Sequence, residues 1–327
     1  AKPSANWNEA IYKTCYRPNA VSRYLATDGS IKTIYNNYIN ISSNLGQTLL
    51  DWIDSAHPGF MSKLLKADKE SIKKFGHSSI MAQGFNHTIM PLDSTSTKRI
   101  QTVWAIESYK MRFGHAPEGL WLAECAIDEE TVDILAENNI RYVILAPWQG
   151  VAIDGVSTNG APMPSDRAFI IKGKKGSINA FFYDREFASG VSFGHMLRDA
   201  DAMFDRLCKK RKERNNPVLI HWATDGEIYG HHEPFGDMGL AAFIRKISES
   251  NEFEIDNYAS FLDKHPATQV ATLGKGEEGL GTSWSCSHGV GRWMRNCGCH
   301  TGGDDSWNQE WRGPLRKAFN NLENKVR

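Results

Sequence analysis

The chain has 327 residues, 41% hydrophobic and 23% charged, enough for one large domain or two modest ones with a sizeable core. Its 38 basic and 38 acidic side chains cancel, so no net field would draw in nucleic acid or an anionic membrane. No run approaches the roughly 20 apolar residues of a membrane span, Ala1-Lys2-Pro3-Ser4 has no signal-peptide core, and six cysteines are too few for a secreted disulfide framework. A soluble, cytoplasmic enzyme or binding protein remains, and a first residue other than Met fits a trimmed or partial chain.

Taken in order, 38–42 is a weak strand candidate, and helices are predicted over 46–56 and 58–75. A short apolar run at 79–83 suits a buried parallel strand. The next helix, 94–113, opens on Ser and Thr, places Ile100, Val103, Trp104, Ile106 and Met111 at helical spacing, and closes at Gly114. Strand 119–123, helix 128–138 with its acidic first turn, and strands 142–146 and 177–183 follow. Helix 197–214, strand 217–223 and helices 234–250, 256–265 and 307–326 complete the series. No repeat or low-complexity run interrupts it. Strands alternating with helices predict an α/β fold, and at this length a barrel suits the pattern better than an open sheet.

The strand ends carry the chemistry. The run 119–123 ends at Glu124, and 217–223 is followed by Asp225-Gly226-Glu227 and by His231-His232. A rim carboxylate paired with an arginine is the bland reading of Glu124, and a turn is that of Asp225-Gly226. A turn does not need Asp, Glu and two His within eight residues, so the second segment favours a site. His87 follows 79–83, where a buried structural histidine is the default. In a barrel, the C-terminal strand ends meet at one mouth. Two carboxylates there are the minimum for glycoside hydrolysis, one attacking carbon or activating water and the other protonating the leaving oxygen.

Five segments in this order, NHTIMPL (86–92), PEGLWLAE (117–124), ILAPWQ (144–149), ATDGEIYGHH (223–232) and TSWSCSH (282–288), resemble glycoside hydrolase family 57. The resemblance implies an irregular, TIM-like (β/α)7 barrel, retaining chemistry on α-glucans or related α-glycosides, and no required cofactor. By motif match, Glu124 stands in the nucleophile position and Asp225 in that of the general acid/base. His87, Gln149, His231, His232 and His288 match substrate-binding positions, with Trp148 and Trp284 placed to stack on sugar rings; core packing is the alternative for each tryptophan. The carboxyl separation for retention is about 5–5.5 Å. An ionised Glu124, held by an imidazole or a helix N-terminus, and a proton-carrying Asp225 would complete the division of labour. The family's first-strand motif, a His followed closely by Gln-Pro, does not precede Trp7, so the chain is expected to lack that strand.

The barrel is expected over 1–270, with a Cys/His-rich loop and a terminal helix packed on it over 271–327. Cys286, Cys297 and Cys299, with His288 or His300, are candidate zinc ligands, although the spacing is not that of paired Cys-x2-Cys knuckles. Three readings of these thiols stand side by side: a structural zinc loop, a thiol-lined edge of the sugar site, and small buried packing residues. Two further functions compete with glycoside chemistry. One is a metal-dependent polysaccharide deacetylase, against which adjacent histidines without an early Asp pair count. The other is a carbohydrate-binding barrel that has lost turnover. An oligosaccharide or polysaccharide is the expected partner; nucleic acid and membrane are not.

Overall fold

A computed structural model describes residues 6–214, 219–299, 302–304 and 306–326. Its strands, in chain order, are β1 Ser22–Leu25, β2 Ile31–Tyr35, β3 Ala82–Gln83, β4 Leu120–Trp121, β5 Tyr142–Leu145, β6 Gly150–Ile153, β7 Val156–Ser157, β8 Ala168–Lys172, β9 Ser177–Phe182 and β10 Val270–Leu273. The apolar runs form the parallel centre, and all four residues of β5 are buried. A parallel series links Ser43 to Ile80, β3 to β4, Gly119 to Tyr142, and β5 to β9. The approach at Gly119 is close: a Cβ there would fall 2.4 Å from the Tyr142 ring, so the neighbouring strand admits only glycine.

Beyond β9 the sheet turns mixed, in the order β5-β9-β8-β10-β6-β7. The domain boundary expected at 270 falls inside β10, which is parallel to β8 and antiparallel to β6. Hairpin β1-β2 stands apart. These short antiparallel strands were not anticipated, since half-exposed ribbons give only brief alternation in sequence.

Two strand expectations are corrected. Residues 37–39 form a 3-10 turn, because the Asn36 side chain accepts the Tyr38 N–H at 3.2 Å, and pairing begins only at Ser43. Of the strand expected at 217–223, residues 217 and 218 lie outside the described residues, and 219–223 form no ladder. Their tie to the sheet is the bond from the Asp184 N–H to the His221 carbonyl at 2.9 Å. On the other side, where a strand partner would lie, is a cavity of about 740 Å³ that also runs along 40–46.

Side-chain caps start the helices: Ser94 for Thr95–Phe113, Asp128 for Glu129–Glu137 and Asp184 for Arg185–Phe193. Of the apolar set expected on Thr95–Phe113, Ile106 alone is buried. Ile100, Val103, Trp104 and Met111 are exposed, whereas Lys98, Gln101, Thr102, Ala105, Tyr109 and Phe113 are buried. Lys98 is drawn inward by Asp128 at 2.6 Å and Glu130 at 2.8 Å, and Gln101 by the Asn86 N–H at 2.6 Å. No helix among the described residues is long and apolar enough to cross a membrane.

Candidate active site

Because the series is parallel, β3, β4 and β5 deliver their following residues to one end, and Asp225, after the unpaired 219–224, lines the same cavity as His87. Glu124 follows β4 in a left-handed turn, with φ of 58° at Glu124 and 51° at Cys125. Two successive non-glycine residues there store strain, and the surroundings hold them in place. The clamp comes from 282–285. Ile127 and Thr282 exchange backbone hydrogen bonds at 3.0 and 3.1 Å, and the Trp284 N–H donates to the Glu124 carbonyl at 2.8 Å. A Cβ on Gly281, at φ 109°, would meet the Ile127 oxygen at 2.3 Å, so the two backbones can lie this close only at glycine. The Glu124 carboxylate accepts from the Trp284 indole N–H at 2.9 Å and the Ser285 hydroxyl at 2.5 Å. An indole and a hydroxyl thus fill the role expected of an imidazole or a helix N-terminus.

Asp225 stands on the rim, exposed as a residue, yet its carboxyl lies above the ordinary carboxylate range. Desolvation is the main cause, followed by the charge of Glu227 and then that of Glu124. Glu227 accepts from the Tyr16 hydroxyl at 2.5 Å. His87, also in a left-handed turn, bonds through Nδ1 to the Gln83 amide at 2.6 Å. Desolvation holds its pKa below the usual imidazole value, against the pull of Glu124. The fields of Glu124 thus reach both His87 and Asp225.

The expected sugar-binding residues divide. His87 and Asp225 line the 740 Å³ cavity with Gln83, Trp121, Tyr16 and Glu227. Glu124, Trp148 and His231 lie outside its wall, contrary to the expectation of one shared pocket. The 282–285 loop covers Glu124, the Trp148 indole donates to the Ser283 carbonyl at 3.3 Å, and His231 Nδ1 meets the Thr14 hydroxyl at 2.9 Å. Trp148 is 41% exposed with Tyr183 at its edge, and Trp284 packs against Trp121 and Tyr183, forming an aromatic floor. His232 is exposed beside His231. Gln149 is corrected from a binding to a supporting residue: it is fully buried, accepting from the Ala146 N–H and donating to the Cys125 carbonyl and Thr282 hydroxyl. Glu227, Trp121, Tyr16 and Ser285 were not singled out, although Glu227 lies within the dense titratable segment.

His288 is likewise turned away from the sugar mouth, with Nδ1 at 3.4 Å from the Cys299 sulfur and 4.0 Å from that of Cys286. Cys286 lies 3.9 Å from Cys297 and 3.7 Å from Cys299, sulfur to sulfur. The four ligand atoms all fall within 4.8 Å of one another, the sole such Cys, His, Asp or Glu group among the described residues. Among the described residues, no comparable group gathers around His231 and His232. Burial pushes the Cys286 thiol up to about 11. Cys299, although desolvated, comes down to about 7 through hydrogen bonding with Cys297, His288 and Cys286. His300 lies outside the described residues.

Comparison with known proteins bears on this geometry. Residues 6–274 match the sequence profile of glycosyl hydrolase family 57. Alpha-amylase 1 of Dictyoglomus thermophilum is 30% identical over 98 residues, 30% of this chain and 13% of the amylase. Among solved structures, an exo-type maltose-forming amylase of Pyrococcus sp. ST04 superposes with a TM-score of 0.72 at 14% identity, over 98% of this chain and 54% of that one. The 4-alpha-glucanotransferase of Thermococcus litoralis gives 0.63 at 19%, over 84% and 40%. A family 57 branching enzyme of Thermococcus kodakaraensis gives 0.58 at 16%, over 83% and 58%. The chain spans less than two thirds of the length of each relative. These likenesses place the strands and helices described above in an irregular (β/α)7 barrel. With the family profile matched along most of its length, the chain belongs to glycosyl hydrolase family 57, whose members act on α-glucans as amylases, branching enzymes and glucanotransferases.

Proposed function

We propose that the protein is a retaining hydrolase or transglycosylase of α-glucans or related α-glycosides, with Glu124 as nucleophile and Asp225 as general acid/base. The observation that carries this reading is that Asp225, on the rim of the cavity, feels the charge of Glu124, a carboxylate from another strand end in a different environment. Glu124 receives two donors, whereas Asp225 is desolvated and faces the charges of Glu227 and Glu124. In the first step Glu124 bonds to the anomeric carbon while Asp225 passes its proton to the departing glycosidic oxygen. In the second, Asp225 takes a proton from water or a sugar hydroxyl, and that oxygen displaces Glu124 with retained configuration. Trp148 and Trp121 offer apolar faces to sugar C–H groups, and His87 and Gln83 offer polar edges.

The test is Glu124→Gln with maltooligosaccharides as substrates. Turnover is expected to vanish while substrate binding stays within a few-fold, and Asp225→Asn is expected to retain activity on glycosides with good leaving groups. Near-normal turnover by Glu124→Gln would sink the mechanism, as would carboxyls standing more than about 10 Å apart in a complex with an unreacted glycoside.

A further inference from the structure

The loop that clamps Glu124 continues directly into the Cys/His cluster, and the sequence between them is short: Trp284, Ser285, Cys286. Zinc with thiolate bonds of about 2.3 Å and an imidazole bond of about 2.0–2.1 Å requires tetrahedral edges of roughly 3.8 Å between sulfurs and 3.6 Å between sulfur and nitrogen. Four of the six edges in the structure are 3.7 and 3.9 Å between sulfurs and 3.4 and 4.0 Å from His288 Nδ1 to Cys299 and Cys286, and all six lie within 4.8 Å. Small apolar cysteines packed for their volume would have no reason to surround an imidazole nitrogen.

The backbone supplies the second requirement of a thiolate site. Amides of Arg292 and His288 donate to the Cys286 sulfur, and the Ser287 amide donates to Cys299. Such bonds spread the negative charge that three thiolates bring to one ion. The loop bends tightly to do this: the Gly289 N–H donates to the Cys286 carbonyl at 3.1 Å, and the Arg295 N–H to that of Gly291 at 2.9 Å. Outside the cluster, Arg295 pairs with Glu277 at 2.5 Å and with Glu278, closing the base of the loop. Cys286 and Cys297 are buried, so the ion would have no open coordination position toward the sugar mouth.

We infer that Cys286, His288, Cys297 and Cys299 hold one structural zinc ion, and that this ion fixes the loop presenting Trp284 and Ser285 to Glu124. Its second half rests on the proposed nucleophilic role of Glu124. The residues of the cluster are positioning residues. They act on the reaction through the indole and hydroxyl that hold the carboxylate.

Elemental analysis of the purified protein is expected to give one zinc per chain. Cobalt exchange is expected to give the ligand-field and sulfur-to-metal bands of a tetrahedral thiolate site. Cys297→Ser and His288→Ala are expected to drop zinc to substoichiometric levels, while Cys208→Ser, at a thiol outside the cluster, keeps it. Hydrogen exchange in Cys297→Ser is expected to speed up over 276–299 and stay unchanged in β5 and β9, which separates loop release from unfolding. That variant is also expected to lose about tenfold or more in kcat with little change in KM, in line with weakened hydrogen bonds to a charged group. Absence of zinc, or full zinc occupancy in both cluster variants, would overturn the site. Zinc loss with unchanged loop exchange and kcat would overturn its positioning role. Turnover by Glu124→Gln in a zinc-loaded protein would instead remove the nucleophile assignment and leave the metal site standing.

Discussion

Two side chains near the carboxyls shape their chemistry without belonging to the pair. Glu227 is the larger of the two charges raising Asp225, after desolvation. Neutralising it in Glu227→Gln lets Asp225 ionise more readily, so its pKa falls. Because the acid must be protonated to assist departure, the alkaline limb of the pH–rate profile is expected to move to lower pH. A limb that stays in place or moves upward would contradict the assignment. Ser285 is the second. Removing a hydrogen bond to a charged group costs about 1.5–3 kcal/mol, so Ser285→Ala is expected to lower kcat by about 10- to 150-fold if the whole bond is made in the transition state. An unchanged kcat would show that Trp284 alone suffices. Glu124 and Asp225 could be proposed from sequence because an apolar run leads to each. Ser285 was not, since nothing in a Ser–Cys pair announces a partner on a strand end 161 positions away.

At the scale of elements, helix Arg185–Phe193 begins where β9 ends, and Asp184 governs the junction. Asp184 is 2% exposed, caps the helix through the Phe187 N–H at 2.9 Å, and receives Lys210 at 2.6 Å and Arg214 at 2.7 Å. Burial alone would raise its pKa, but Lys210, the Phe187 amide and Arg214 together hold it below the usual value. Asp184→Asn leaves the buried Lys210 ammonium with Glu186 alone, at 2.9 Å, and is expected to cost about 1.5–3 kcal/mol in denaturant unfolding. The contribution of the native carboxylate is present above the unfolded-state pKa of about 3.9 and is lost as pH falls through the lower folded value. Stability of the native protein is therefore expected to fall faster than that of Asp184→Asn below about pH 4; parallel curves would refute the linkage. Helices were the legible elements, since caps such as Ser94 and Asp128 are local and readable. The buried face of Thr95–Phe113 was not, because Lys98 and Gln101 are paid for by partners on other elements.

For the molecule as a whole, the uneven closure of the barrel sets where it opens. Among the described residues, 219–224 donate no backbone hydrogen bond to another backbone group, while β5 and β9 pair along four registered positions. Amides of 219–224 are expected to exchange much faster than those of β5 and β9; equal protection would show that the segment is held like a strand. The parallel centre was readable from apolar runs, but the loss of the ladder at 219–223 depends on what lies across the cavity, which a run of Leu, Ile and Trp does not encode. The clamp on Glu124 also carries a consequence in time. Ribosomes add about 5–20 residues per second, and Glu124 and Ser285 stand 161 positions apart. A newly made chain therefore carries its carboxylate for about 8 to 32 seconds before the hydroxyl that holds it has even been synthesised. During that interval the nascent chain displays the acid without its grip, and the carboxylate is held only once position 285 has been made, not when the strand that bears it is complete.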